Sequence, residues 1–140
     1  PNRIICEKYL VDRETGTLND YKVHCLNGVP VYCGCYEERI CHRHKIYRFD
    51  FEGNVINPAG DPSLESSIRS RIPAPELLDK LYHYSRILST GIRMVRVDFY
   101  IVDGRPLLGE MTFVPSAGCN HALDIIFRDD RYRRHLENIC

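Results

Sequence analysis

The sequence predicts an α+β fold in which an antiparallel β-sheet packs against one long helix. Apolar and polar residues alternate along several short segments, and turn residues separate those segments. One longer segment has helical spacing instead. With 140 residues, 44% of them hydrophobic and 27% charged, the composition is ordinary for a globular chain. We therefore expect a single domain that spans residues 1–140.

The expected strands in the first part of the chain are residues 3–10, 20–26, 29–36 and 45–51. Asn27 and Gly28 separate the second from the third, and this dipeptide is a strong signal for a two-residue hairpin turn. Residues 57–75 contain four of the eight prolines, so we expect a surface loop there.

The long helix is predicted over residues 75–90. Pro75 suits the first helical turn, and Gly91 suits the end of the helix. Its expected buried stripe consists of Leu77, Leu81, Tyr84 and Leu88. A last helical stretch is expected from Asp129 onward.

Residues 94–113 predict a β-hairpin that brings two carboxylates together. Odd positions in both halves are mainly apolar, which indicates one buried face. A three-residue loop, Asp103–Arg105 with Gly104 in the left-handed conformation, keeps those apolar faces aligned. Asp98 then lies opposite Glu110, and Arg96 lies opposite Thr112.

Two like charges opposed across a strand pair repel each other, so something must offset Asp98 and Glu110. One alternative is a salt-bridge cluster with Arg96, which is diagonal to Glu110. The other is Mg²⁺, a hard cation that binds one or two protein carboxylates together with water and phosphate oxygens. Composition does not separate these alternatives.

The overall charge excludes some classes of partner. Nineteen basic residues match nineteen acidic ones, so there is no electrostatic argument for nucleic acid or an anionic membrane. No apolar run approaches the ~20 residues that span a bilayer, and we expect no signal peptide. The seven cysteines are expected to be reduced thiols in a cytoplasmic protein. Because the chain starts at Pro1, we expect it to be cut from something longer.

Several segments occur in an order that resembles the C-terminal half of TupA-like ATP-grasp proteins, over roughly residues 2–120. The family is named for teichuronopeptide synthesis and is associated with bacterial surface polysaccharides. The matching segments are Glu7-Lys8-Tyr9-Leu10, Asp20-Tyr21-Lys22-Val23, Asn27-Gly28, Arg96-Val97-Asp98-Phe99-Tyr100, Gly109-Glu110-Met111-Thr112-Phe113 and Pro115.

The resemblance implies an ATP- and Mg²⁺-dependent carboxylate–amine ligase, in which a phosphorylated carboxylate is attacked by an amine. Implied partners are a nucleotide and a small-molecule or saccharide substrate, with no nucleic acid and no membrane insertion. The glycine-rich loop and lysine of the family's N-terminal lobe are not in these residues, so the resemblance covers only the C-terminal lobe.

Residue roles follow from the same resemblance. Asp98 and Glu110 resemble the Mg²⁺ ligands, and Arg96 resembles the arginine that stabilises charge during transfer. Thr112 stands where many ATP-grasp enzymes have a metal-binding asparagine, which leaves the third ligand open. The remaining implied positions are Glu7, Lys8, Tyr9 and Leu10 beside the adenine, Lys22 facing the nucleotide, and Ser116 and Gly118 in the substrate loop.

A zinc-stabilised module is the main alternative. Zinc binds thiolates and imidazoles tetrahedrally, and suitable residues lie close together in sequence. They are Cys33, Cys35, Cys41, His42 and His44, although their spacing fits no common zinc motif. A degenerate enzyme that only binds its ligand is a further alternative.

Overall fold

The structure is a computed structural model that describes residues 3–13, 16, 18–37, 45–57, 60–113, 115 and 128–137. The strands in this part of the chain are β1 (Asp20–Leu26), β2 (Val29–Glu37), β3 (Lys45–Asp50), β4 (Met94–Val102) and β5 (Arg105–Thr112). The helices are α1 (Pro62–Arg69), α2 (Pro75–Ser89) and α3 (Asp130–Glu137). The predicted α+β class is therefore confirmed.

The five strands form one sheet in the order β3-β2-β1-β4-β5. Every neighbouring pair is antiparallel. The predicted turn between β1 and β2 is confirmed, because Asn27 and Gly28 both have positive φ angles, 50° and 75°. The central strand β1 connects the two halves of the sheet.

The two faces of the sheet differ in chemistry because successive strand residues point to opposite sides. The odd positions of β1 and β4 lie in the core, where α1 and α2 cover them through Ile68, Leu78 and Leu81. This face also contains Tyr21, Val23, Cys25, Val95, Val97 and Phe99. The even positions carry the polar side chains described below.

Helix α2 lies where a helix was predicted over residues 75–90, but α1 also covers the sheet, and the face that α2 buries differs from the predicted one. Leu81 is fully buried as expected, whereas Tyr84 is 42% exposed. Leu78, Ser85 and Ser89 complete the buried face instead. Two buried serines bring the helix backbone close to the sheet. A hydrophobicity pattern does not identify them as buried, because serine is polar.

Residues 57–75 were expected to be a loop, and the structure instead places α1 within them. Asp61 is the N-cap, and its side chain accepts a hydrogen bond from the Ser63 backbone N–H at 2.9 Å. Pro62 occupies the first helical position, where proline is tolerated. The prolines therefore flank a helix rather than exclude one.

The predicted strand at residues 3–10 is wrong. These residues have no regular secondary structure, and Ile4, Ile5 and Tyr9 are 92%, 85% and 85% exposed. A strand forms only when a neighbouring strand accepts its backbone hydrogen bonds. The segment has no such neighbour in the described part of the chain, so its strand propensity alone is insufficient.

The β4–β5 hairpin has the predicted facing pairs but a different turn. Asp103 and Gly104 form a two-residue turn with positive φ at both positions, 49° and 70°. This turn pairs Phe99 with Leu108, while Asp98 pairs with Glu110. Gly109 is the extra residue of a β-bulge, which restores the register that a three-residue loop was expected to set.

The bulge also explains why residue 109 is glycine. A Cβ atom there would lie 3.1 Å from Tyr100 Cε2 and 3.3 Å from the Asp98 carbonyl oxygen. Both distances are tighter than ordinary side-chain contacts, and one of them is to backbone.

Helix α3 begins one residue after the predicted start and packs at the end of the sheet. The ring of Tyr132 lies 6.5 Å from that of Tyr32, measured between centroids. Asn27 Nδ2 donates a hydrogen bond to the carbonyl oxygen of His135 at 2.7 Å. In the part of the chain that the structure describes, no helix is both long and apolar enough to cross a bilayer.

We expect Leu81→Ala to destabilise the fold by about 2–5 kcal/mol, because it leaves a cavity beneath the sheet. Ile87→Ala is the matched control on the same helix, since Ile87 is 59% exposed. Its effect on the unfolding free energy should stay within about 0.5 kcal/mol. Urea unfolding measures both values, and equal losses would contradict the assigned helix face.

Candidate functional site

The polar face of the sheet brings together residues from β1, β4 and β5. One row across the sheet is Lys22, Asp98 and Glu110, because Lys22 pairs with Asp98 and Asp98 pairs with Glu110. The next row is His24, Arg96 and Thr112. These two adjacent rows therefore place cationic and acidic side chains next to one another on β1, β4 and β5.

Asp98 lies at the centre of this cluster, and its side chain is only 5% exposed. Arg96 Nε donates to Asp98 Oδ1 at 2.7 Å, and Arg96 Nη2 donates to Asp98 Oδ2 at 2.7 Å. Lys22 Nζ contacts the same Oδ2 atom. Both carboxylate oxygens are therefore held by positive charge, which offsets the loss of hydration.

Glu110 joins the cluster from the edge strand, and its side chain is 63% exposed. Arg96 Nη2 lies 3.3 Å from Glu110 Oε1 and 3.2 Å from Thr112 Oγ1. The Thr112 hydroxyl donates to Glu110 Oε1 at 2.6 Å. Arg96 thus sits between the two carboxylates, so the structure contains the salt-bridge cluster that was one of the sequence alternatives.

The guanidinium of Arg96 keeps its charge in this setting. Burial acts to lower the pKa of Arg96, but the hydrogen bonds and charge of Asp98, together with Glu110, raise it above the ordinary value. Arg96 is consequently a permanent cation on the polar face.

Lys22 is held by two carboxylates of neighbouring positions. Its Nζ atom lies 2.7 Å from Asp20 Oδ2 as well as against Asp98. It also lies 5.4 Å from the centroid of the Tyr36 ring, a cation–π distance. The lysine side chain is only 12% exposed, so its ammonium group is fixed rather than free in solvent.

His24 lies beside this cluster and is buried. Its ring stacks on that of Tyr32 with centroids 4.4 Å apart and planes 10° from parallel. Burial, and then the charge of Arg96, lower the pKa of His24 to about 3. The imidazole is therefore neutral near pH 7.

Asp98 and Glu110 are ligands of the kind that Mg²⁺ takes, but the described residues contain no group of three or more acidic, histidine or cysteine side chains arranged to hold a metal. Asp98 and Glu110 converge on one cationic position, at present the Arg96 Nη2 atom, and Mg²⁺ takes carboxylate oxygens readily. The five side chains Asp20, Asp98, Glu110, Lys22 and Arg96 comprise three carboxylates and two cations, which favours a further positive charge. Because Arg96 binds both Asp98 oxygens and Lys22 contacts one of them, an ion at Asp98 would compete with these two cations.

The other predicted site residues are not part of the cluster. Glu7, Lys8 and Tyr9 are exposed, and Leu10 is half-buried, in a segment without regular structure. This segment meets the hairpin through Asp12, whose Oδ2 atom accepts the Asp103 backbone N–H at 2.9 Å. Ser116 and Gly118 lie outside the described residues.

The structure describes only two of the five candidate zinc ligands, Cys33 and Cys35. Cys33 and Cys35 share one face of β2, and that face is the apolar core. Both are free thiols, and burial raises the pKa of Cys35 to about 12. Cys41, His42 and His44 lie outside the described residues. Within residues that the structure does describe, no group of three or more histidine, cysteine or acidic side chains is arranged to hold a metal.

Sequence reasoning missed Asp20 and His24 as members of the polar face. The available signal was the alternation in β1, where Asp20, Lys22 and His24 are consecutive even positions. Their relevance depends on β1 lying next to β4, and a single sequence does not specify which strands become neighbours.

Comparison with known protein families matches TupA-like ATPgrasp over residues 1–131. The match covers nearly the whole chain, so the chain belongs to the TupA-like ATP-grasp family. No curated protein matches the chain, and no solved structure matches it.

We expect stability to fall on acidification because His24 is neutral in the fold. The unfolded chain binds a proton at His24 below about pH 6.5, whereas the folded chain resists protonation until about pH 3. The contribution of His24 to the unfolding free energy is therefore complete above about pH 6.5 and is lost as the pH falls from 6.5 towards 3. Between pH 7.5 and 5 the unfolding free energy should drop by about 2 kcal/mol.

Urea unfolding of His24→Phe tests this expectation, because phenylalanine keeps an aromatic ring against Tyr32 and cannot titrate. The pH dependence should flatten by about the same 2 kcal/mol. His83→Gln is the control, since His83 is an exposed residue on α2. An unchanged slope in His24→Phe would contradict a neutral buried imidazole.

Proposed function

We propose that this chain is the C-terminal, metal-bearing portion of an ATP-grasp ligase that joins a carboxylate to an amine. The proposal includes dependence on ATP and Mg²⁺, and a role in bacterial polysaccharide biosynthesis. The observation that carries it is the convergence of Asp98 and Glu110 on one cation position in a chain of this family.

In this proposal Asp98 and Glu110 bind Mg²⁺, and the Thr112 hydroxyl is the candidate for a third contact. Mg²⁺, when bound, supplies positive charge opposite the phosphate oxygens of ATP. Thr112 orients Glu110 through the 2.6 Å hydrogen bond, which limits the rotation of an otherwise exposed carboxylate.

Arg96 has the role of stabilising negative charge on the transferring phosphoryl group. A guanidinium presents five donors in a fixed plane, which suits phosphate oxygens. If Mg²⁺ were held by Asp98 and Glu110, Arg96 would be available to donate to phosphate oxygens on the same face. Lys22, fixed by Asp20 and Asp98, supports the charge of this face and is proposed to face the nucleotide.

The remaining assignments rest on the family resemblance. Glu7, Lys8, Tyr9 and Leu10 are proposed to border the adenine when the N-terminal lobe of the ligase is present, and the exposure of this segment is compatible with such a partner. Ser116 and Gly118 are proposed to contact the acceptor substrate. The substrates would be a uronic acid or similar carboxylate and an amino acid. We also propose a cytoplasmic location, which the free thiols of the described cysteines suit.

The burial of Asp98 affects how this function is tested. Replacing Asp98 with asparagine removes the partner of two partly buried cations, which costs about 3–5 kcal/mol in comparable buried pairs. A loss of activity in Asp98→Asn therefore mixes stability with metal binding. Glu110 is the better position, because its side chain is largely exposed.

In a chain that is extended N-terminally to include the family's N-terminal lobe, we expect Glu110→Gln to weaken Mg²⁺-dependent ATP binding at least tenfold without a change in the unfolding temperature. Asp103→Asn is the matched control, a carboxylate-to-amide change in the turn of the same hairpin. Isothermal titration with ATP in the presence and absence of Mg²⁺ measures the difference. Equal affinities for Glu110→Gln and the parent chain would defeat the metal assignment.

A second measurement tests whether the ATP site is formed jointly by this chain and the N-terminal lobe of the ligase. We expect tight Mg²⁺-dependent ATP binding only in a chain that is extended N-terminally, because the family's N-terminal lobe supplies other phosphate contacts. The same titration is made on both chains. Zinc in both chains by metal analysis, with ATP bound by neither, would favour the zinc-stabilised module.

A further inference from the structure

A cavity of about 390 Å³ lies at the end of the sheet where β2 begins and β3 ends. Helices α2 and α3 form its other sides. Its volume is at the lower end of the range for small-molecule sites. None of its lining residues belongs to the Asp98 cluster.

The lining of the cavity is mixed, and one part of it is apolar and aromatic. Pro30 and Val31 are buried at its base, together with Tyr132 of α3. Phe51 and Tyr82 form a wall, with their rings edge-to-face at a centroid distance of 5.3 Å. Such surfaces bind an apolar or aromatic group by removing it from water.

Charged side chains of both signs also line the cavity. Asp79 on α2 and Glu52 after β3 contribute carboxylates, and Arg134 on α3 contributes a guanidinium. All three side chains belong to exposed residues. Within the described structure, neither Asp79 nor Arg134 forms an ion pair, although both line the same cavity.

Arg131 is the other cation of the cavity, and it is already neutralised. Its Nη2 atom lies 2.6 Å from Asp129 Oδ2, and its Nη1 atom lies 3.9 Å from Asp50 Oδ2. Asp50 in turn accepts a hydrogen bond from the Tyr132 hydroxyl at 3.3 Å. These contacts fix the position of α3 and leave Arg134 as the available positive group.

We propose that this cavity binds a small zwitterion with an apolar or aromatic side chain, of the class of short peptides. Asp79, supported by Glu52, binds the ammonium group, and Arg134 binds the carboxylate. The aromatic wall and the apolar base hold the side chain between them. Because carboxylates and a guanidinium line the same cavity, a ligand that carries both signs matches it better than an ion of one sign.

The probe is the dipeptide alanyl-phenylalanine, titrated into the ¹⁵N-labelled chain and followed by NMR. Shifts should concentrate at Phe51, Tyr82 and Tyr132, with a dissociation constant on the order of millimolar. Asp79→Asn and Arg134→Gln should each weaken binding about fivefold, as expected for exposed charge pairs. Glu76→Gln, an exposed carboxylate of α2 outside the cavity, is the control.

Blocked peptides assign each charge to its partner. N-acetylation should weaken binding to the parent chain about fivefold and have no further effect in Asp79→Asn. Amidation of the carboxyl end should behave in the same way toward Arg134→Gln. Blocked peptides that bind the parent chain as well as the free dipeptide, or an absence of shifts at these aromatic residues, would overturn the proposal.

This site does not depend on the proposed ligase function. Titration of alanyl-phenylalanine needs neither ATP nor Mg²⁺, and its variants lie outside the hairpin. A failure of Glu110→Gln to change ATP binding therefore leaves the cavity proposal unaffected, and a failure of the peptide titration leaves the metal assignment unaffected.

Discussion

The antiparallel register between β1 and β4 is the constraint on which the rest of the structure depends. It places Lys22 opposite Asp98 and Val23 opposite Val97. Since successive residues alternate between faces, this one register sends the valines into the core and the charges to the other side. A shift by one residue would bury Lys22 beneath α2, at a cost that no contact on that face offsets.

The polar cluster contains one buried carboxylate, Asp98, and one exposed carboxylate, Glu110. Asp98 is nearly buried and bound to two cations, so it contributes to the stability of the sheet centre. Glu110 lies on the edge strand and remains accessible to solvent. The cluster has three carboxylates and two cations, so a bound cation would add positive charge where negative charge is in excess. This excess of negative charge links the folded structure to the proposed magnesium site.

The hairpin shows why a correct pairing was predicted with an incorrect turn. The apolar alternation in both strands required Asp98 to face Glu110, and the structure contains that pair. A two-residue turn and a bulge at Gly109 achieve the same register as a three-residue loop. Alternation constrains which residues face each other, but it does not specify where the extra residue sits. That position depends on the Tyr100 ring and the Asp98 carbonyl, which lie close to Gly109.

The sequence by itself determined the α+β class, the two hairpins, the long helix and the acidic pair, because each follows from local periodicity and turn chemistry. Only the tertiary structure decided that β1 lies beside β4, that Arg96 and Lys22 both bind Asp98, and that His24 is buried and neutral. The helix at residues 62–69 was missed although its local signals, Asp61 as N-cap and Pro62 at the first helical position, are present in the sequence. The tertiary structure also decided that residues 3–10 form no strand. The outcomes that the tertiary structure decided depend on contacts between segments distant in the chain, and local patterns carry no information about such contacts.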